Sequence, residues 1–391
     1  MRVFGKWLGR FLIVVVAAVV AFLAFAPGYV ESQRNAVSPH DPWPVSDEAA
    51  ALHENLLVGD WHSDSLLWRR DLTRRANRGH VDLPRLIEGN VALQMFTAVT
   101  KSPRGQNYSR NAADAPDNIT LLAMGQRWPA RTWDSLLERA LYQAERLHGF
   151  EEKAPEMLQI IRNQADLDAV LARRAAGEDV VGGLLGIEGA HPLEGDMANL
   201  DKLVEAGYRM IGLQHFFDNE LGGSLHGTSD QGLTDFGREL VRAVAAGPLI
   251  IDLAHSSPQV ARDVLAITDV PLVVSHTGLH SACRVKRNFE DPLMREIATT
   301  GGVIAIGYWA DVTCNQSPAG VASVIRQAIA VLGEDHVSLG SDFDGSVRTG
   351  YDTSELAALT HALINEGVTE PQIRKVMGEN MLRVLRDRLE E

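Results

Sequence analysis

The sequence predicts an α/β protein, a (β/α)8 TIM barrel whose functional residues would lie at the C-terminal ends of its strands. Short apolar runs rich in β-branched residues recur at 56–60, 91–96, 180–187, 208–213, 248–253, 271–275, 302–307 and 336–341. They are continuous rather than alternating, as expected of parallel strands buried on both faces. Helix-like stretches lie between most of them, for instance 196–206, 235–246, 256–267 and 319–332. Eight runs is the number that closes a barrel. A doubly wound open sheet is the rival arrangement, yet no glycine-rich dinucleotide fingerprint follows any run.

Taken from the N-terminus, residues 1–26 form a separate object. The uncharged stretch FLIVVVAAVVAFLAFA at 11–26 follows the basic MRVFGKWLGR, which reads as a signal anchor or an export signal with its basic end in the cytoplasm. Ala24-Phe25-Ala26 resembles a small-x-small cleavage site, but Pro27 directly after it disfavours cleavage, so a retained anchor is preferred. With Trp7 and Leu8 included and some tilt, the run is long enough to span. Residues 27–45 contain four prolines and read as a linker. The barrel is then 46–391, placed in the periplasm or otherwise outside the cytoplasm. A long insert at about 97–179 separates the second and third strands and carries the helical pattern TWDSLLERALYQAERLHGF.

Composition narrows the partners. The 391 residues are 45% hydrophobic, 23% charged and 6% aromatic, with a net charge of −14. That is enough apolar material for one large or two ordinary cores. Without Arg2, Lys6 and Arg10 the remainder is more acidic still, which argues against nucleic acid or an anionic lipid surface as the partner.

Polar residues gather where the strands end. The first run leads into DWHSD with His62 and Asp64, which share a face at that spacing; the third ends at Glu188, the fourth at His215, the fifth at His255, the sixth at His276, and the eighth at Asp342 and Asp344. In a barrel these ends converge on one face. A lone histidine is more often structural than ligating, but four of thirteen at strand ends beside carboxylates point jointly to metal. Histidine nitrogen with carboxylate oxygen and no thiolate suits zinc or a similar divalent ion in a catalytic site. Five candidate ligands suffice for two ions that share a carboxylate and a bridging hydroxide. Asp342 is placed to take a proton from the water and return it to a leaving group, so the chemistry implied is hydrolysis.

The segments HSD (62–64), GIEGAHPLEG (186–195), IGLQH (211–215), IDLAHSS (251–257), VVSHTGLHSACRVKRN (273–288), GGVIAIGY (301–308) and HVSLGSDFDG (336–345) resemble the membrane dipeptidase, or renal dipeptidase, family. The resemblance runs from about 56 to 385. It implies a dipeptidase with two zinc ions, tolerant of a D-residue at the C-terminal position and, in some members, active on β-lactams. It further implies His62 and Asp64 on one zinc, His255 and His276 on the other, and Glu188 bridging them. Asp342 becomes the general acid and base, His215 a group that polarises the scissile carbonyl or steadies its oxyanion, and Arg287 the holder of the substrate carboxylate. Tyr308 is expected in substrate binding. Spacing alone does not choose among Arg284, Lys286 and Arg287; the resemblance does.

Departures from the family pattern are DWHSD in place of DGHND, Ala190 in place of a glycine, and a poorly matching stretch at 97–130. His226 and His280 read as polar lining or structural residues. The two cysteines, Cys283 and Cys314, resemble a pair that forms a disulfide in the family; free thiols are the alternative. A homodimer is compatible with this reading. Two further functions stay open: a related amidohydrolase acting on another small carboxylate-bearing amide or lactam, and a non-hydrolytic relative that binds or tailors a metabolite.

Overall fold

A computed structural model of the chain describes residues 2–391, apart from several side chains in the N-terminal helix. Eight parallel strands form the centre: β1 (Val58–Ser63), β2 (Val91–Val99), β3 (Val181–Glu188), β4 (Tyr208–Gly212), β5 (Ile250–Asp252), β6 (Leu272–Thr277), β7 (Val303–Ile306) and β8 (Val337–Leu339). They pair in sequence order around the sheet. The ring closes between β1 and the segment after β8, where Ser63 bridges Phe343 and the Asp64 amide donates to the Phe343 carbonyl at 2.9 Å. The expected TIM barrel is therefore present, and each predicted run coincides with one strand. A short extra strand, Leu158–Ile160, lies beside β3.

Alternation along the strands explains how the same sheet serves core and site. Met95, Leu184, Ile250 and Val273 belong to the inner apolar cluster, whereas Phe96, Leu185, Ile251 and Val274 pack outward against the helices. Continuing the inward row by two residues gives Thr97, Asp252 and Ser275, and by four residues from Leu184 gives Glu188. A barrel interior that is apolar at its base thus turns polar at the strand ends, with Met381 and Val384 of the C-terminal helix in the same inner cluster.

Turn chemistry then fixes where each strand end stops. After β5 the chain enters the helix Pro258–Leu265, which Ser257 caps by accepting from the Val260 amide, with proline in the first turn. The same device, Ser317 ahead of Pro318, starts the helix Pro318–Leu332. Cys283 and Cys314 form a disulfide, with Cα atoms 5.6 Å apart.

Ahead of the barrel, α1 spans Arg2–Arg34. Among the described residues no helix is long and apolar enough to cross a membrane; several side chains of the expected segment, including those of 19–22 and 24, lie outside them. The C-terminal part of α1 is docked on the barrel. Glu31 is buried and ion-paired with Arg70 and, at 2.7 Å, with Arg78. Ala36–Val37 pairs with Arg348–Thr349. In the insert, α2 (Ile119–Gly125) lies against α1, and α3 (Leu136–Lys153) flanks the barrel.

Candidate metal centre

Four imidazoles converge on one carboxylate. Glu188 Oε1 lies 3.1 Å from His255 Nε2, 3.4 Å from His276 Nε2 and 3.6 Å from His62 Nε2, while Oε2 is 3.4 Å from His215 Nε2. Asp64 Oδ1 sits 3.5 Å from His62 Nε2. Asp342 comes close enough for its carboxylate to share one ion with His62 and His276. All seven residues are buried. The structure brings His62, Asp64, Glu188, His215, His255, His276 and Asp342 together at one place.

The donors need a cation to be satisfied. His255 Nε2 and His276 Nε2 lie 2.9 Å apart, and His62 Nε2 has no hydrogen-bond partner. Burial, and then the nearby Asp64 carboxylate, push Glu188 and Asp342 well above the usual carboxylate range. Burial also pushes His255 and His276 well below the usual imidazole range, reinforced by Arg287 and His62 respectively. Burial opposes protonation of His62 too, but Glu188 and Asp64 outweigh it and lift that ring to about 9. Divalent cations would ionise the acids and occupy the ring lone pairs, so the residues present fit a metal centre.

Hydrogen bonds from within the barrel aim the rings. Ser275 Oγ lies 3.1 Å from His62 Nδ1 and 2.9 Å from His276 Nδ1, and it donates to Asp252 Oδ2 at 2.7 Å. One serine therefore orients two rings, the usual task of groups behind metal ligands. Thr97 Oγ1 donates to Asp64 Oδ1 at 2.6 Å. Asp60 accepts from the amides of His62 and Ser341 at 3.1 and 2.8 Å, tying β1 to the segment after β8. His215 Nδ1 meets the Lys101 carbonyl at 3.1 Å, so Nδ1 carries the proton and Nε2 of the neutral ring is an acceptor. Burial pushes His215 down to about 4; an oxyanion role therefore requires its imidazolium.

Backbone strain marks two of these positions. His255 and Asp342 adopt left-handed φ values of 63° and 58°, a region that non-glycine residues enter at a cost. Beside Asp342, a Cβ added at Gly345 would sit 1.9 Å from Asp342 Oδ1 and push that carboxyl aside.

Other expected residues take distinct places. Arg287 is buried, donates from Nη2 to the His276 carbonyl at 2.7 Å and lies 3.3 Å from His255 Nε2. Among the described residues no carboxylate pairs with it within 4.0 Å. Asp344 is not part of the cluster. It pairs with Arg70 and accepts from the Ser65 hydroxyl at 2.8 Å and the His80 amide at 2.7 Å. Tyr308 is not brought to the site, since the β7 turn directs it into the core against Phe343 and Tyr351. The phenol that borders the pocket is that of Tyr108, which accepts from Trp309 Nε1 at 3.0 Å. Tyr108 lies in the insert, where no sequence motif singled it out. His226 packs on Phe216 and Tyr108, with Nδ1 2.9 Å from the Tyr108 carbonyl.

The cluster opens into a cavity of about 450 Å³. The family model for membrane dipeptidase, peptidase family M19, matches residues 46–390. The chain belongs to this family. It is a metallo-dipeptidase of the M19 type, as its relatives agree. Dipeptidase tcpJ of Claviceps purpurea (strain 20.1) is 27% identical over 319 residues, covering 79% of this chain and 69% of the relative. The crystal structure of dipeptidase AC, an M19 metallopeptidase, superposes with a TM-score of 0.70 at 25% identity over 86% of this chain and 99% of that one. A metallopeptidase from Rhodobacter sphaeroides, liganded with a phosphinate mimic of L-Ala-D-Ala, gives 0.67 at 25% identity, over 85% and 99%.

Proposed function

We propose that this M19 metallo-dipeptidase is a zinc enzyme that hydrolyses small dipeptides, including those ending in a D-residue. The observation that carries this reading is Arg287. A guanidinium buried without a carboxylate partner beside the metal cluster is costly unless the substrate completes it, and its fork matches a free C-terminal carboxylate. The Rhodobacter sphaeroides relative bound to an L-Ala-D-Ala mimic supports the D-residue at that end.

Two zinc ions held by His62, Asp64, Glu188, His255 and His276 would supply Lewis acidity and make the attacking water acidic at neutral pH. In this reading Arg287 fixes the carboxylate end and thereby sets the scissile carbon over the cluster. Asp342 removes the proton from the water and delivers it to the departing amine nitrogen. His215 touches the developing oxyanion only as the imidazolium. Ser275 and Asp252 hold the rings still.

Location belongs to the same proposal. The basic flank followed by an apolar run supports an anchor or export signal, and the Cys283–Cys314 disulfide suits an oxidising compartment.

The test uses the purified chain, with metal content measured beside rates on L,L and L,D dipeptides. About two zinc per chain, with activity lost to chelation and restored by zinc, is expected. Metal without turnover of any dipeptide would reject the substrate assignment.

A further inference from the structure

The cavity above the metal cluster is only partly made by the barrel. Its outer wall is the C-terminal part of α1, which contributes Leu23, Pro27, Val30 and Arg34, together with Ile119 and Leu122 of α2; Leu67 of the loop after β1 lines it as well. A Cβ built at Gly125 of α2 would lie 3.9 Å from Pro27 Cγ, so the two helices meet there. This wall is fastened in place. Buried Glu31 pairs with Arg70, which also pairs with Asp344, and Asn35 Oδ1 accepts from the Ser346 amide at 2.8 Å. Through those contacts α1 is tied to the segment 342–346, which carries Asp342.

Position around the ring says which part of a substrate reaches the wall. Arg287 stands with His255 and His276 on the β5–β6 side. The apolar chamber stands with Leu67, Val99 and Ser346, on the side of β1, β2 and the end of β8. In an eight-strand ring paired in sequence order, these sides are diametrically opposed. On that arrangement, a dipeptide held by its carboxylate at Arg287, with its scissile bond over Glu188, would point its amino-terminal residue into the chamber.

We infer that the apolar face of α1 at Pro27 and Val30 forms a specificity wall, and that it selects dipeptides with a large apolar amino-terminal residue. This rests on the dipeptidase reading and on Arg287 as the carboxylate holder. The N-terminal helix is then a working part of the substrate pocket in addition to whatever it does as an anchor.

Val30 is the position to test, because it borders the cavity yet is 41% exposed, so a larger or charged side chain there does not disturb the core. Wild type is expected to prefer Leu-Ala over Gly-Ala in kcat/KM by about tenfold or more, the scale on which an apolar pocket distinguishes side chains. Val30→Trp, which fills the chamber, and Val30→Asp, which charges it, should each reduce that ratio to within about threefold, and Val30→Ile should keep it. An unchanged ratio in both Val30→Trp and Val30→Asp would overturn the inference. If wild type hydrolyses neither dipeptide, the dipeptidase reading fails by itself, and the wall is judged by calorimetry. Phosphinate dipeptide analogues with a leucine or a glycine side chain at the amino end are the probes. A leucine preference in wild type that Val30→Trp abolishes supports the wall, and equal binding of both analogues to wild type rejects it.

Discussion

The floor of the pocket and its outer wall are built on different terms. Each group of the floor stands on a strand end or one turn beyond it, and groups fixed in the barrel hold several of them: Ser275 for His62 and His276, Thr97 for Asp64, the Lys101 carbonyl for His215. The wall comes from α1, α2 and the loop before α2, and presents apolar side chains such as Pro27, Val30 and Leu122 beside polar ones such as Gln106 and Arg34. Reacting atoms tolerate little displacement and so sit on the sheet, while selectivity can be exchanged without touching them and sits on attached segments. Damage to the floor should therefore stop chemistry or release metal, and damage to the wall should only reorder substrates.

The sharpest way to break this contrast is Asp342→Asn. It should lower kcat by about 10²-fold or more, the lower part of the range for general acid and base work, with metal content unchanged by elemental analysis. Turnover at the wild-type rate would remove Asp342 from the chemistry, and lost metal would make it a ligand. Next comes Ser275→Ala, expected to weaken metal affinity by about 10- to 100-fold because two rings lose their orienting hydroxyl. A chelator titration identical to wild type would show that the floor does not depend on its outer hydrogen bonds. Arg287→Ala should cost about tenfold in kcat/KM on dipeptides with a free carboxylate, the scale of a charge-assisted hydrogen bond. C-terminally amidated dipeptides should be spared, and equal losses on both would reject the carboxylate role.

The smallest effect concerns stability. His191, just after β3, packs against Phe217, and burial, followed by Lys101, pushes it from 6.5 down to about 3. Between those values the unfolded chain binds a proton there that the folded chain does not. Stability held at neutral pH is thus lost on acidification, by up to about 1.4 kcal/mol per pH unit from this group. Urea midpoints at pH 7 and pH 5 should differ less in His191→Asn than in wild type. The same difference in both would assign the acid sensitivity elsewhere.

How much of this was legible in the sequence follows the same division. The eight strands were readable because parallel strands buried on both faces leave continuous apolar runs, and the cluster residues because each falls directly after such a run. Asp252 and Ser275 were equally visible in principle, as polar residues inside buried strands, a position that demands a partner. Tyr308 was expected from the resemblance alone, yet it packs in the core against Phe343 and Tyr351, and Tyr108 borders the pocket instead. The wall could not be read at all. Residues 27–45 look like a linker by their prolines, and nothing local announces that Glu31 will find Arg70 and Arg78 on the barrel, since that ion pair exists only once the tertiary fold has formed.

The left-handed backbone at His255 and Asp342 has a consequence for how such a chain can change over generations. Each position holds about 1–3 kcal/mol of conformational strain, which glycine would relieve. Selection for heat resistance alone would therefore favour discarding the imidazole and the carboxyl at the centre of the site. A lineage that lost the need for hydrolysis would gain robustness by those two steps, and one that kept the need must find its stability elsewhere in the barrel.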